Sequence, residues 1–200
     1  MTNTHQPAYT LYYWRACQQF WGRAIGVVLT LDEAGVAYTI REPKDAPIGE
    51  GEALFKRFGY PAITLPNGMT IGQTPAILHV LGQIFGLAGK TPEEQVDCLQ
   101  TVLDVSDLFN EALSGKLTEK PERARQWLEL LSHKLKDHRF LINDAPSVAD
   151  FHAVFATEWV HRKYRADAYD DFPALARWWQ DICAHPAVQR MKSSGIAMIP

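Results

Sequence analysis

Two hundred residues with an apolar fraction of 46% can bury a sizeable core as one large or two small domains, and a formal charge of −3 predicts no nucleic-acid or membrane-surface partner. No apolar run approaches the ~20 residues that cross a bilayer, and Met1 to Pro7 lacks the basic start and apolar core of a signal peptide. Cys17, Cys98 and Cys183 are odd in number, far apart and in no C-x-x-C or zinc spacing, which fits a reduced, cytoplasmic setting.

In chain order, residues 1–8 read as a disordered lead. Tyr9 to Trp14 (YTLYYW) is aromatic and β-branched, which predicts a strand with Tyr9, Leu11 and Tyr13 on one face and Thr10, Tyr12 and Trp14 on the other. Arg15 to Gln19 reads as a loop. Phe20 to Ala34 reads as a helix through Ile25, Val28, Leu29 and Leu31, ended by a left-handed Gly35. Val36 to Ile40 is a second strand. Arg41 to Pro47, with Gly49 and Gly51, is rich in turn residues, and a short helix from Glu52 to Phe58 follows it. Ala62–Leu65 and Met69–Ile71 form a hairpin, because Asn67-Gly68 between them tolerates positive φ. Thr74 then caps a helix with Pro75 at its first position and Ala76, Ile77, Val80, Leu81, Ile84 and Phe85 at helical spacing. The unpaired N–H groups and dipole of a helix start favour a small anion such as a carboxylate, with the Thr74 hydroxyl as a further donor. Strand, helix, strand, hairpin, helix is the thioredoxin-like order.

After the connector Gly86 to Lys90 the period is helical throughout. Thr91 caps a helix on which Val96, Leu99, Val102, Leu103, Ser106, Phe109, Asn110 and Leu113 share one broad face, and Gly115 to Lys120 breaks it. Pro121 opens another, with Ala124, Trp127, Leu128, Leu131 and Leu135 inward. Ser147 and Asp150 have capping-box spacing ahead of an apolar run from Phe151 to Trp159. Phe172 to Ala184 is a further helix, and His185-Pro186 starts the last. Glu158 and His161 have the i, i+3 spacing of a di-iron bundle, but one copy without its partners predicts no metal.

Tyr60-Pro61, the hairpin, Gln73-Thr74 and Ala76-Ile77-Leu78, together with YTLYYW, Gly22-Arg23 and Asp32 to Tyr38, resemble the cytosolic glutathione transferases, in particular a bacterial, tyrosine-type group. The Ser147-Asp150 box resembles the buried capping box of the same family, where its role is folding. The resemblance covers nearly the whole chain. It implies an α/β thioredoxin-like domain over residues 1–87 and an all-helical domain over 88–200, acting as a transferase that activates the glutathione thiolate for attack on a small hydrophobic electrophile in detoxification. Glutathione is the implied co-substrate. Pro61 would be cis, the Tyr60 backbone would pair with the cysteinyl part of glutathione, and Gln73 and Thr74 would hold its γ-glutamyl carboxylate. Tyr13 would donate to the sulfur, and the physical reason is that a donor aimed at a thiol of pKa ~8.5 favours the nucleophilic thiolate. Lys44 is the candidate for the glycyl carboxylate. Asp107, with Asp104 as the other register, would reach across a homodimer to the γ-glutamyl amine of the other subunit's glutathione. Tyr12, Trp14, Phe109, Leu113 and the tail residues Ile196, Met198 and Ile199 could line the electrophile pocket.

The loop between Trp14 and Gly22 is a few residues longer than the group pattern and carries Arg15, Cys17 and Gln19 where that pattern has Pro. Tyr12 is therefore a second candidate donor. Cys17 is the candidate nucleophile of a thiol transferase or glutathione-dependent reductase. A non-catalytic binding module on the same fold is the third reading.

Overall fold

The structure is a computed structural model that describes residues 9–18, 21–47, 59–164 and 170–195, without the side chains of 158–164. The N-terminal lead, Gln19, Phe20, the loop glycines Gly49 and Gly51, the helix expected from Glu52 to Phe58, the side chains of Glu158 and His161, and Ile196, Met198 and Ile199 lie outside the described residues.

A four-stranded mixed sheet forms the first half. Strand β1 (Tyr9–Tyr12) lies between β2 (Tyr38–Arg41), which is parallel to it, and β3 (Ala62–Thr64), which is antiparallel. Strand β4 (Thr70–Gly72) pairs antiparallel with β3 at the edge. The hairpin closes as its Asn-Gly pair requires: Gly68 takes φ 87°, and the Asn67 side chain accepts from the Met69 N–H at 3.0 Å. Alternation along β1 holds. Tyr9, Leu11 and Tyr13 join the main core, while Tyr12 packs with Ala46 and Ala62 on the other face.

Helix α1 (Ile25–Glu33) starts later than the periodicity predicts. Trp21 at φ 55° and Gly22 at φ 43° turn the chain left-handed, so the helix cannot run back through them, and a 3₁₀ turn over Gly22–Ala24 leads in instead. Gly35 ends it at φ 64°, as expected. Helix α2 (Thr74–Phe85) packs beside α1 and ends at Gly86, φ 68°.

The helical half comprises α3 (Pro92–Ser114), the short α4 (Lys116–Glu119), α5 (Pro121–Lys134), α6 (Val148–Tyr164), α7 (Pro173–Cys183) and α8 (Pro186–Ser193). The Thr91 hydroxyl accepts from the Glu94 N–H and caps α3. The buried stripe of α3 is Cys98, Thr101, Val102, Val105, Leu108, Phe109 and Ala112, at three- and four-residue spacing. Val96, Leu103 and Leu113, expected on that face, are 67%, 49% and 49% exposed. They flank the stripe at positions rotated away from α6, and apolar identity alone does not fix the angle. The inward residues expected of α5 are all buried.

Asp150 is fully buried at the start of α6. It accepts from the Ser147 N–H and hydroxyl, the Leu141 N–H and the Trp178 indole N–H, at 2.7 to 2.9 Å. One hydrophobic core runs through both halves, with α6 lying between α1 and α3. Gly26 lets α1 and α6 approach: a Cβ there would sit 2.9 Å from the His152 Cα.

Candidate active site

Tyr60 and Pro61 enter β3 through a cis peptide bond. The buried Pro61 carbonyl accepts the Gln73 backbone N–H at 3.2 Å, which ties the start of β3 to the start of α2. Gln73 takes φ 72°, a left-handed value that few residues with a side chain adopt. Gly59 makes room for it: a Cβ at Gly59 would sit 3.0 Å from the Gln73 Nε2.

Thr74 is not the cap. It is the first residue of α2, and Gln73, which occupies the cap position, makes no side-chain capping hydrogen bond. The Thr74 hydroxyl, one residue too far into the turn to reach the N–H groups ahead, donates to the Arg23 carbonyl at 2.9 Å. The hydroxyl proton is thus used to join α2 to the lead-in of α1. The free N–H groups of the first turn still point out of the helix with its positive dipole end.

A cleft of about 250 Å³ opens at this point, between the sheet-bearing half and α3. Tyr60, Gln73, Thr74 and Asp107 all line it, although they are spread over 48 positions of sequence. Pro61 stands directly behind, through its bond to Gln73. Asp104, the other register for Asp107, does not line the cleft, and neither does Lys44, which is exposed on the 3₁₀ turn Pro43–Asp45. That turn is anchored by the Tyr60 hydroxyl, which donates to the Pro43 carbonyl at 2.9 Å.

Tyr13 sits one residue past β1, its N–H donating to the Arg41 carbonyl at 2.9 Å. Its ring is 4% exposed, edge-on to Trp14 at 5.4 Å and stacked on Trp21 at 6.4 Å, and it does not line the cleft. Burial pushes its pKa up, the neighbouring Cys17 adds to this, and a backbone hydrogen bond from Arg23 opposes both. The phenol is therefore protonated at neutral pH, the state in which it can donate. Tyr12 faces the opposite side of the sheet, where its oxygen accepts from the Thr64 hydroxyl at 3.4 Å. Cys17 closes the 3₁₀ turn Arg15–Cys17, half-buried and unpaired as a thiol, and its carbonyl accepts the Trp21 N–H at 2.7 Å.

Three further residues of the cleft escaped the sequence reading as functional groups. Arg23 lies with its guanidinium 5.0 Å from the centre of the Phe109 ring. Ser106 and His152 meet across the floor, Oγ to Nε2, at 2.9 Å. Ser106 also donates to the Val102 carbonyl, so its oxygen accepts from the His152 Nε2–H and the imidazole is a neutral tautomer. His152 Nδ1 is buried without a partner. Burial, helped by the Arg23 charge, pulls the His152 pKa down to about 4. Arg23 had a signal, since Gly22-Arg23 belonged to the matched pattern. His152, a single histidine in an apolar run, had none.

Residues 90–186 match the family model of the glutathione S-transferase C-terminal domain. Glutathione S-transferase 1 of Triticum aestivum is 33% identical over 73 residues, which is 36% of this chain and 32% of that protein. Glutathione S-transferase F13 of Arabidopsis thaliana is 28% identical over 82 residues, 41% of this chain and 37% of that one. The chain thus spans about a third of the length of the curated relatives it matches. Among solved structures, rat hPGDS complexed with a quinoline superposes with a TM-score of 0.75 at 21% identity, covering 94% of this chain and 97% of that one. Monomeric Na-GST-3, a glutathione S-transferase from the hookworm Necator americanus, gives 0.74 at 19% identity with the same coverage of 94% and 97%. The chain has the glutathione transferase fold.

Proposed function

We propose that the chain is a glutathione transferase of the tyrosine type, divided at residues 87 and 88 into a glutathione-binding domain and a helical one. The observation that carries this reading is the convergence of Tyr60, Gln73, Thr74 and Asp107 on one cleft at the start of α2. The γ-glutamyl carboxylate would dock on the free N–H groups of that helix start, beside the Gln73 amide. The Tyr60 backbone would pair with the cysteinyl unit and Asp107 would bind the γ-glutamyl amine, while Lys44, exposed on the Pro43–Asp45 turn outside the cleft, is not assigned the glycyl carboxylate. The place of Asp107 on the cleft of its own chain favours that chain's glutathione over the cross-subunit role expected of it, and the chain would form a homodimer. The exposed Ile84 on α2 and Val96 on α3 offer apolar surface for such a dimer. A cytoplasmic setting accords with the free thiols, and no described helix is long and apolar enough to cross a membrane. The curated relatives quoted are plant proteins and lend no support to a bacterial subgroup.

Tyr13 stands behind the cleft residue Arg23 and outside the lining itself; in the reaction its protonated hydroxyl would have to reach past Arg23 to donate to the glutathione sulfur, and the thiol proton would leave to solvent. The thiolate then attacks the electrophilic carbon; the carbon–sulfur bond forms and the leaving group departs with its bonding pair. Phe109 and Leu103 give the cleft apolar wall for the second substrate.

Conjugation of glutathione to chlorodinitrobenzene, measured for wild type, Tyr13→Phe and Cys17→Ala, tests the assignment. A hydrogen bond to a charged sulfur is worth ~1.5–3 kcal/mol, so Tyr13→Phe should lose roughly ten- to hundredfold in turnover with little change in the KM for glutathione. Cys17→Ala should stay near wild type. The reverse pattern would move the chemistry to Cys17 and a thiol transferase.

A further inference from the structure

A glutathione transferase takes a second substrate, and Arg23 narrows the chemical class of that substrate. Its guanidinium lies in the cleft over the Phe109 ring, whose negative face attracts a cation. Its backbone is held by the Thr74 hydroxyl on its carbonyl and by its hydrogen bond to Tyr13. No carboxylate among the described residues lies within ion-pairing distance of the guanidinium: Asp107 shares the cleft wall but makes no ion pair with it. His152 nearby is a neutral imidazole whose Nε2–H is used by Ser106, so it neither neutralises Arg23 nor competes with it for an anion. Of the other described arginines three find acids, while Arg177 and Arg190 bond backbone carbonyls outside the cleft. Arg123 holds Glu111, Arg125 holds Glu129 and Asp171, and Arg139 holds Asp181.

We propose that Arg23 is a specificity-determining residue that receives a carboxylate on the second substrate, so that the preferred electrophile is an aromatic or unsaturated acid rather than a neutral hydrocarbon. The planar guanidinium donates two parallel N–H bonds to a carboxylate, and Phe109 beside it takes the flat apolar part. The carboxylate is bound and not consumed: with an aryl halide acid the carbon–sulfur bond forms and the halide leaves with its bonding pair, and with an unsaturated acid the carbon–sulfur bond forms, the π pair moves to the neighbouring carbon and that carbon takes a proton from solvent.

The proposal rests on the transferase reading, and the test separates the two. Glutathione conjugation is measured with chlorodinitrobenzoate and with chlorodinitrobenzamide, each normalised to its uncatalysed rate. Wild type should favour the benzoate by about tenfold in kcat/KM. Arg23→Leu should bring the ratio to about one, and Arg23→Lys should keep most of it. An arginine that served only the thiolate would lower both substrates alike and leave the ratio untouched, and that result overturns the proposal, as does a wild type without preference. Calorimetric titration of the benzoate without glutathione gives a readout that does not need turnover. Binding lost in Arg23→Leu supports the site even if neither substrate reacts, which would sink the transferase reading alone. Equal binding by both proteins refutes the site.

Discussion

His152 has to stay uncharged for the native packing to hold. Its ring is buried between α1 and α3, Ser106 takes its Nε2–H, and Arg23 is the charged group that faces it. Burial first, then that charge, brings the pKa from 6.5 to about 4. The sign follows from linkage. A group whose folded pKa is depressed contributes stability that is complete above the unfolded pKa and is lost as pH falls through the folded one. Between pH 7 and pH 5 the unfolded chain takes up a proton at this position and the native chain does not. Wild type should therefore lose about 2 kcal/mol more than His152→Gln over that interval in urea unfolding. Parallel losses in the two proteins would mean that the imidazole is charged or solvated in the native state.

At the scale of elements, the joint between the halves is set by how closely α1 and α6 approach. Gly26 is the residue that permits it, and two effects oppose each other there. Alanine in a helix interior is favoured over glycine by about 1 kcal/mol. The added Cβ, however, would lie 2.9 Å from the His152 Cα and 3.1 Å from its Cβ, atoms that cannot rotate away. Overpacking of that kind costs ~1–3 kcal/mol, so the clash should win. Gly26→Ala is expected to melt several degrees lower than wild type, and a higher melting temperature would show the joint to be looser than described. The Asp150 box secures the other end of the same region by holding the loop before α6, the helix start and Trp178 of α7 with one carboxylate. Burial raises the pKa of that carboxyl, and the four donated hydrogen bonds oppose the shift.

Over the whole molecule, much of the fold was legible because its signals are local. Asn67-Gly68, Gly35, Thr91-Pro92 and Ser147-Asp150 each act through backbone conformation or capping within a few residues. The cleft residues Tyr60, Gln73, Thr74 and Asp107 were legible as a combined pattern. What was not legible depends on packing between distant segments. Trp21 takes a positive φ that its identity does not announce, and this delays α1. The Thr74 hydroxyl leaves the capping role for a carbonyl 51 residues away. The buried stripe of α3 is chosen by where α6 lies, which leaves Leu103 and Val96 outside. Lys44 was chosen for its charge, and position on the exposed Pro43–Asp45 turn does not bring it to the cleft.

The central claim is that glutathione is held at the start of α2, and calorimetric titration of glutathione into wild type and Gln73→Gly tests it most directly. Glycine accepts the left-handed conformation, so the variant keeps the turn and loses only the side chain in the cleft. Saturable binding by wild type, weakened about tenfold in the variant, is the predicted result. Absence of binding by wild type, or equal affinity in both, would contradict the account.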